Sequence, residues 1–172
     1  MVSKGARLIN FEGIDLNILF LCTGNSCRSI LAEATFNALA PVDMRGISAG
    51  SKPAGYVHPR SIALLEREGI PTDGYFSKSW NDLAITPDIV ITVCGSAAGE
   101  TCPAYLGNVM RAHWGAEDPA KATGTEAEID AAFVEAYTIL SRHIEAFLAL
   151  PQEVMADRTK LATAITELAH IQ

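Results

Sequence analysis

Apolar residues recur along the chain in two rhythms, short solid runs and longer stretches at helical spacing. Residues 17–22 carry a continuous apolar run, the mark of a strand buried on both faces. A helix is expected from Ser29 to about Ala40, ending at Pro41, with Ala32, Ala34 and Ala38 allowing close packing. Ile47 to Gly50 reads as a short second strand. Pro59 and Gly69 bracket a second helix through the usual Pro-start, Gly-end asymmetry. Asp88 to Cys94 is a β-branched, strongly apolar strand, and Asn108 to Trp114 is a weaker one. Thr125 and Glu128 form a capping box. The long helix behind it sets Ile129, Phe133, Ala136, Leu140, Ile144 and Phe147 on one face and stops at Pro151. Residues 152–172 predict one more helix, with Val154, Leu161, Ile165 and Leu168 on a face that caps the core. Strands alternating with helices imply an α/β fold: a parallel sheet with helices on both faces. No internal repeat or low-complexity segment interrupts it.

Composition narrows the picture. With 172 residues, 49% hydrophobic and 19% charged, the chain is expected to be one domain with a full core. The net charge of −7 argues against nucleic acid or an anionic membrane as partner. No apolar run approaches the roughly 18 residues of a membrane span, and the first residues do not read as a signal peptide. Four cysteines without an export signal point to a reducing cytoplasm, where thiols serve catalysis or metals more often than structural disulfides.

The chemistry begins where the first strand ends. Cys22-Thr23-Gly24-Asn25-Ser26-Cys27-Arg28-Ser29 delivers a cysteine into a short loop that closes on arginine and opens a helix. Amides of such a loop converge on one spot and favour an anion, and Arg28 can grip two of its oxygens. The same field favours Cys22 as a thiolate. Gly24 and Asn25 suit the left-handed backbone the loop needs. A buried cysteine followed by a surface arginine is the plainer alternative, and the spacing disfavours it. Neither a Walker loop nor a dinucleotide fingerprint is present.

Strand C-termini of a parallel sheet share one edge, so Cys94 belongs on the same rim as Cys22. A modest loop movement would bring the two within bridging distance. The small, Gly-bearing segment Gly95–Thr101 would let Cys102 fold back on Cys94. Two unrelated surface thiols are the alternative, and the spacing fits a zinc pair poorly. Cys27 is expected to pack inward. Asp118, before Pro119, is either a general acid at the rim or a turn cap.

The loop, with Ala32-Glu33-Ala34 behind it, resembles the low-molecular-weight tyrosine phosphatase fold. Val93-Cys94-Gly95, Cys102-Pro103, Arg111-Ala112-His113-Trp114-Gly115, Glu117-Asp118-Pro119-Ala120 and Gly124-Thr125-Glu126 resemble one branch of it, the thioredoxin-coupled arsenate reductases. The resemblance covers residues 17–150, leaving 1–16 and 151–172 as terminal extensions. It implies a flavodoxin-like three-layer sandwich on a four-stranded parallel sheet. It also implies roles: Cys22 attacks arsenate, Arg28 and the amides of residues Thr23, Gly24, Asn25, Ser26 and Cys27 hold the oxyanion, Ser29 supports the thiolate and Asp118 protonates the leaving oxygen. Cys94 then releases arsenite as a Cys22–Cys94 disulfide forms. Cys102 passes the disulfide to Cys94–Cys102, and thioredoxin, or glutaredoxin with glutathione, reduces it. Asn25, Glu33 and Ser48 match a potassium site of some members, but Ser77-Lys78-Ser79 stands where a Thr-x-Asp-type contribution belongs. Lys78 offers a charge in the ion's place, so no metal or cofactor is expected.

A protein tyrosine phosphatase using Cys22, Arg28 and Asp118 is the competing function. Ala120 replaces the aromatic residue that phosphatases of this fold usually carry after Asp-Pro, and hydrolysis has no use for Cys94 or Cys102. A non-enzymatic oxyanion or redox sensor, and a zinc module, are the remaining alternatives.

Overall fold

The computed structural model describes residues 14–94 and 109–171. Four strands, β1 (Leu16–Cys22), β2 (Met44–Gly50), β3 (Ile89–Thr92) and β4 (Met110–His113), form one sheet in the order β2-β1-β3-β4. All pairings are parallel; Leu19 sits opposite Ile47 and Val90, and Thr92 opposite His113. The helices around the sheet are α1 (Arg28–Leu39), α2 (Pro59–Arg67), α3 (Glu126–Leu148), α4 (Gln152–Met155) and α5 (Arg158–Leu168). This is the expected flavodoxin-like arrangement.

Burial explains why the first strand reads as a solid apolar run. Leu19 and Leu21 are as buried as Ile18 and Phe20, so both faces of β1 are covered. An aromatic cluster fills one layer: Phe36 of α1 lies 5.8 Å from Phe20 and 6.0 Å from Phe147, and Trp114 lies 6.4 Å from Phe20. Tilted pairs at such spacing add to area burial. On α3, Phe133, Ala136, Leu140, Ile144 and Phe147 are buried, as the helical spacing predicts. Thr125 Oγ1 accepts from Glu128 N at 3.1 Å, so the capping hydroxyl does what the motif requires.

Two expectations change. Strand β2 begins at Met44 rather than Ile47. Gly46 hides the pattern: a Cβ there would meet the Phe36 ring at 3.1 Å, so glycine makes room for the aromatic layer. The tail is two helices, not one. The first closes at Met155 with Ala156 as its C-cap, and Asp157 caps the second, accepting from Thr159 N and Lys160 N at 3.0 and 3.1 Å, a preferred N-cap geometry. Leu161 and Ile165 are buried, and the Ile165 carbonyl accepts from Trp114 Nε1 at 3.0 Å, joining α5 to the end of β4.

Candidate active site

The parallel order brings the ends of β1, β2 and β3 together. Gly50 pairs with Cys22, and Val93 N donates to the Leu21 carbonyl at 3.0 Å. Between Cys22 and α1 the chain makes a tight loop whose carbonyls are taken from outside. Thr23 O accepts from Lys52 N (3.0 Å), Gly24 O from Ala54 N (2.8 Å) and Ser26 O from His58 N (3.1 Å). In a trans peptide the next N–H points the opposite way. Outward carbonyls at 23, 24 and 26 therefore turn the amides of Gly24, Asn25 and Cys27 inward, and Asn25 N indeed lies 3.2 Å from Cys22 Sγ. Convergent amides at a helix start make a seat for an anion.

Two backbone positions make this curve possible. Asn25 has φ 47°, the one positive value at a described non-glycine residue, and asparagine tolerates it. Gly50 must lack a side chain, because a Cβ would press into the Thr23 carbonyl and lie 3.1 Å from the Asn25 side chain.

Behind the loop runs a buried polar chain. Cys22 Sγ lies 2.9 Å from Ser29 Oγ. Asn25 Nδ2 donates to Ser29 Oγ at 2.8 Å and to Ser48 Oγ at 2.9 Å, while its carboxamide oxygen accepts from Lys78 N at 2.9 Å. Ser48 Oγ donates to Glu33 Oε2 at 2.5 Å, and Lys78 Nζ stands 3.8 Å from the same oxygen. Asn25, Ser29 and Ser48 are fully buried and Glu33 nearly so, so each needs its partners. Burial pushes the Glu33 carboxyl up and the Lys78 ammonium down, each opposed by the other's charge. The Lys78 ammonium thus sets a positive charge beside the buried Glu33 carboxyl.

Arg28 is aimed rather than free-swinging. Its Nη1 donates to the Ala116 carbonyl at 3.0 Å, and its Nη2 lies 3.5 Å from Asp118 Oδ2. Five donors on the guanidinium leave others for an oxyanion. Asp118 is a rim carboxylate beside Arg28 and also the turn cap the sequence suggested, its Oδ1 accepting from Ala120 N at 3.0 Å. Thr23 Oγ1 lies 3.7 Å from Cys94 Sγ, which brings the second thiol to the loop. Cys27 is buried, and loss of water raises its thiol to about 11. Cys102 and the segment around it lie outside the described residues.

Sequence reasoning missed Ala116, a backbone acceptor with no side-chain signal, and His58. The His58 N–H holds Ser26 O, its Nδ1 caps α2 by accepting from Arg60 N at 3.1 Å, and its ring lies 4.9 Å from Phe133. Histidine directly before Pro59 was the available clue.

A parallel sheet whose first strand ends in a cysteine, a loop of inward amides and an aimed arginine defines a thiol-based oxyanion site. Residues 17–160 match the family model of low molecular weight phosphotyrosine protein phosphatases, and the chain belongs to that family, in the branch that holds the arsenate reductases. It is 38% identical over 131 residues to an arsenate reductase of Halalkalibacterium halodurans, a match spanning 76% of this chain and 93% of that protein. The solved structure of an arsenate reductase in its phosphate-binding state superposes with a TM-score of 0.65 at 28% identity, covering 78% of this chain and 97% of the other. The thioredoxin-dependent arsenate reductase of Corynebacterium glutamicum superposes at 0.53 with 25% identity, covering 78% and 64% respectively. Among the described residues, no helix is long and apolar enough to cross a membrane.

Proposed function

We propose that this protein reduces arsenate to arsenite by a thiol cascade. Cys22 attacks arsenic while Arg28 and the inward amides hold the oxyanion, and Asp118 protonates the oxygen that leaves as water. Cys94 then attacks Cys22 Sγ. A sulfur–sulfur bond forms, the sulfur–arsenic bond breaks, and its electron pair stays on arsenic, which departs as arsenite. Cys102 takes over the disulfide with Cys94 and frees Cys22. A dithiol protein of the thioredoxin class restores the thiols by exchange. The glutaredoxin–glutathione system is the alternative reductant. The electrons balance, since arsenate needs two and one disulfide yields two. Lys78 supplies the positive charge beside Glu33, so no cation is required.

The observation that carries this reading is the 3.7 Å approach of Cys94 Sγ to Thr23 in the nucleophile's own loop. A phosphatase would use water in the second step and needs no thiol there. The similarity to arsenate reductases of other organisms supports the substrate. The test mixes fully reduced protein with a slight excess of arsenate and no external reductant. One arsenite per chain with a Cys94–Cys102 disulfide is expected. Four unmodified thiols with brisk aryl phosphate hydrolysis would establish the phosphatase instead. Cys22→Ser should release no arsenite. Cys102→Ser should release about one equivalent and trap Cys22–Cys94, with multiple turnovers on thioredoxin as the contrary result.

A further inference from the structure

We propose that His113 is the proton acceptor for Cys94, a role that rests on the two-thiol reading above. A cleft beside the anion loop is lined by Cys94 and His113 together with Arg28, Lys121, Glu117 and Asp118. His113 ends β4 directly opposite Thr92 of β3, and Cys94 follows Thr92 by two residues. The thiol and the imidazole thus share one wall of the sheet edge.

The hydrogen bonds orient the ring. Thr92 Oγ1 donates to the Ala112 carbonyl at 3.4 Å and lies 2.8 Å from His113 Nδ1. In the tautomer in which Nδ1–H donates to Thr92 Oγ1, the neutral ring keeps its basic lone pair on Nε2. Nε2 lies close against Gly115, where a Cβ would stand 2.7 Å from it. An oriented imidazole sharing a cleft with a thiol follows the logic of nucleophile, base and orienting group.

The reaction needs such a base. Thiolate, not thiol, attacks a sulfur. Cys94 gives its proton to Nε2 and attacks Cys22 Sγ; the sulfur–arsenic bond breaks with its electrons on arsenic. The imidazolium then releases its proton to solvent.

The test is single-turnover formation of the Cys22–Cys94 disulfide from arsenate in a Cys102→Ser background, measured from pH 5.5 to 9. His113→Gln should slow disulfide formation at pH 7 by about tenfold or more and remove the bend that imidazole ionisation gives the pH profile. Gly115→Ala keeps the imidazole but crowds Nε2, and it should show the same slowing and the same lost bend. A rate within twofold of the parent and an unchanged bend in either variant would overturn the role. The Gly115 variant decides the matter if His113→Gln folds poorly. If the Cys102→Ser parent itself yields neither disulfide nor arsenite, the two-thiol reading fails first and takes this proposal with it.

Discussion

Ser29 Oγ lies 2.9 Å from Cys22 Sγ while accepting from the Asn25 amide at 2.8 Å. With Cys22 as the thiolate that the proposed reaction uses, sulfur can only accept, so the Ser29 hydroxyl donates to it. Ser29→Ala removes that proton from a buried site. A hydrogen bond to a charged group is worth about 1.5–3 kcal/mol, so arsenite formation should fall roughly tenfold to a hundredfold. Iodoacetate labelling of Cys22 at pH 7 should slow in parallel, and an unchanged labelling rate would contradict the assignment.

Gly50 is a steric requirement of the anion loop, not a spacer. A Cβ at this position would press on the Thr23 carbonyl and the Asn25 backbone, so Gly50→Ala must displace the loop amides from their convergence. Phosphate affinity measured by calorimetry should drop at least about tenfold, since several charge-assisted bonds lose their geometry together. The sheet itself should persist, and the far-ultraviolet circular dichroism should stay near that of the parent.

Lys78 and Glu33 form a buried pair in which each charge offsets the other's loss of water. Glu33 has a folded-state value above its ordinary one, so the folded protein holds the proton longer than the unfolded chain. Its contribution is therefore greatest below about pH 4.5 and declines as pH rises through the folded value. Lys78→Met removes the charge that limits the rise. The variant should lose about 2 kcal/mol at pH 7 and lose stability more steeply than the parent between pH 4.5 and 7. Urea titrations across that range would show it, and parallel curves would count against the pairing.

His58 joins the anion loop to the start of α2 through its N–H and its Nδ1. Burial, with the Arg60 charge behind it, holds the ring below its ordinary value. The unfolded chain therefore takes up the proton first as pH falls. Stability from the neutral ring is complete above about pH 6.5 and is lost as pH falls through the folded value. Protonation also converts the capping acceptor into a donor. His58→Asn keeps a preferred cap without the titration, so its melting temperature should change less than the parent's between pH 7.5 and 5.5.

Much of this was legible from local pattern. The cysteine loop was readable because a solid apolar run followed by Cys, Gly, Asn and Arg has few other uses. The α3 face, from Phe133 to Phe147, followed from helical spacing alone. Strand β2 was read three residues short because Gly46 replaces an apolar residue where Phe36 crosses it. The break at Asp157 was missed because a single capping side chain, not a change of periodicity, divides the tail.

The sequence by itself determined the order of elements, the cysteine loop and the shared rim of Cys22 and Cys94, since periodicity and parallel topology are local or combinatorial properties. Tertiary structure alone decided which groups face one another. Arg28 is held by a carbonyl 88 residues away, Asn25 by the backbone of Lys78, and His113 by Thr92 across two strands. Such contacts depend on register and side-chain direction, which are set when the sheet closes and the core packs around it.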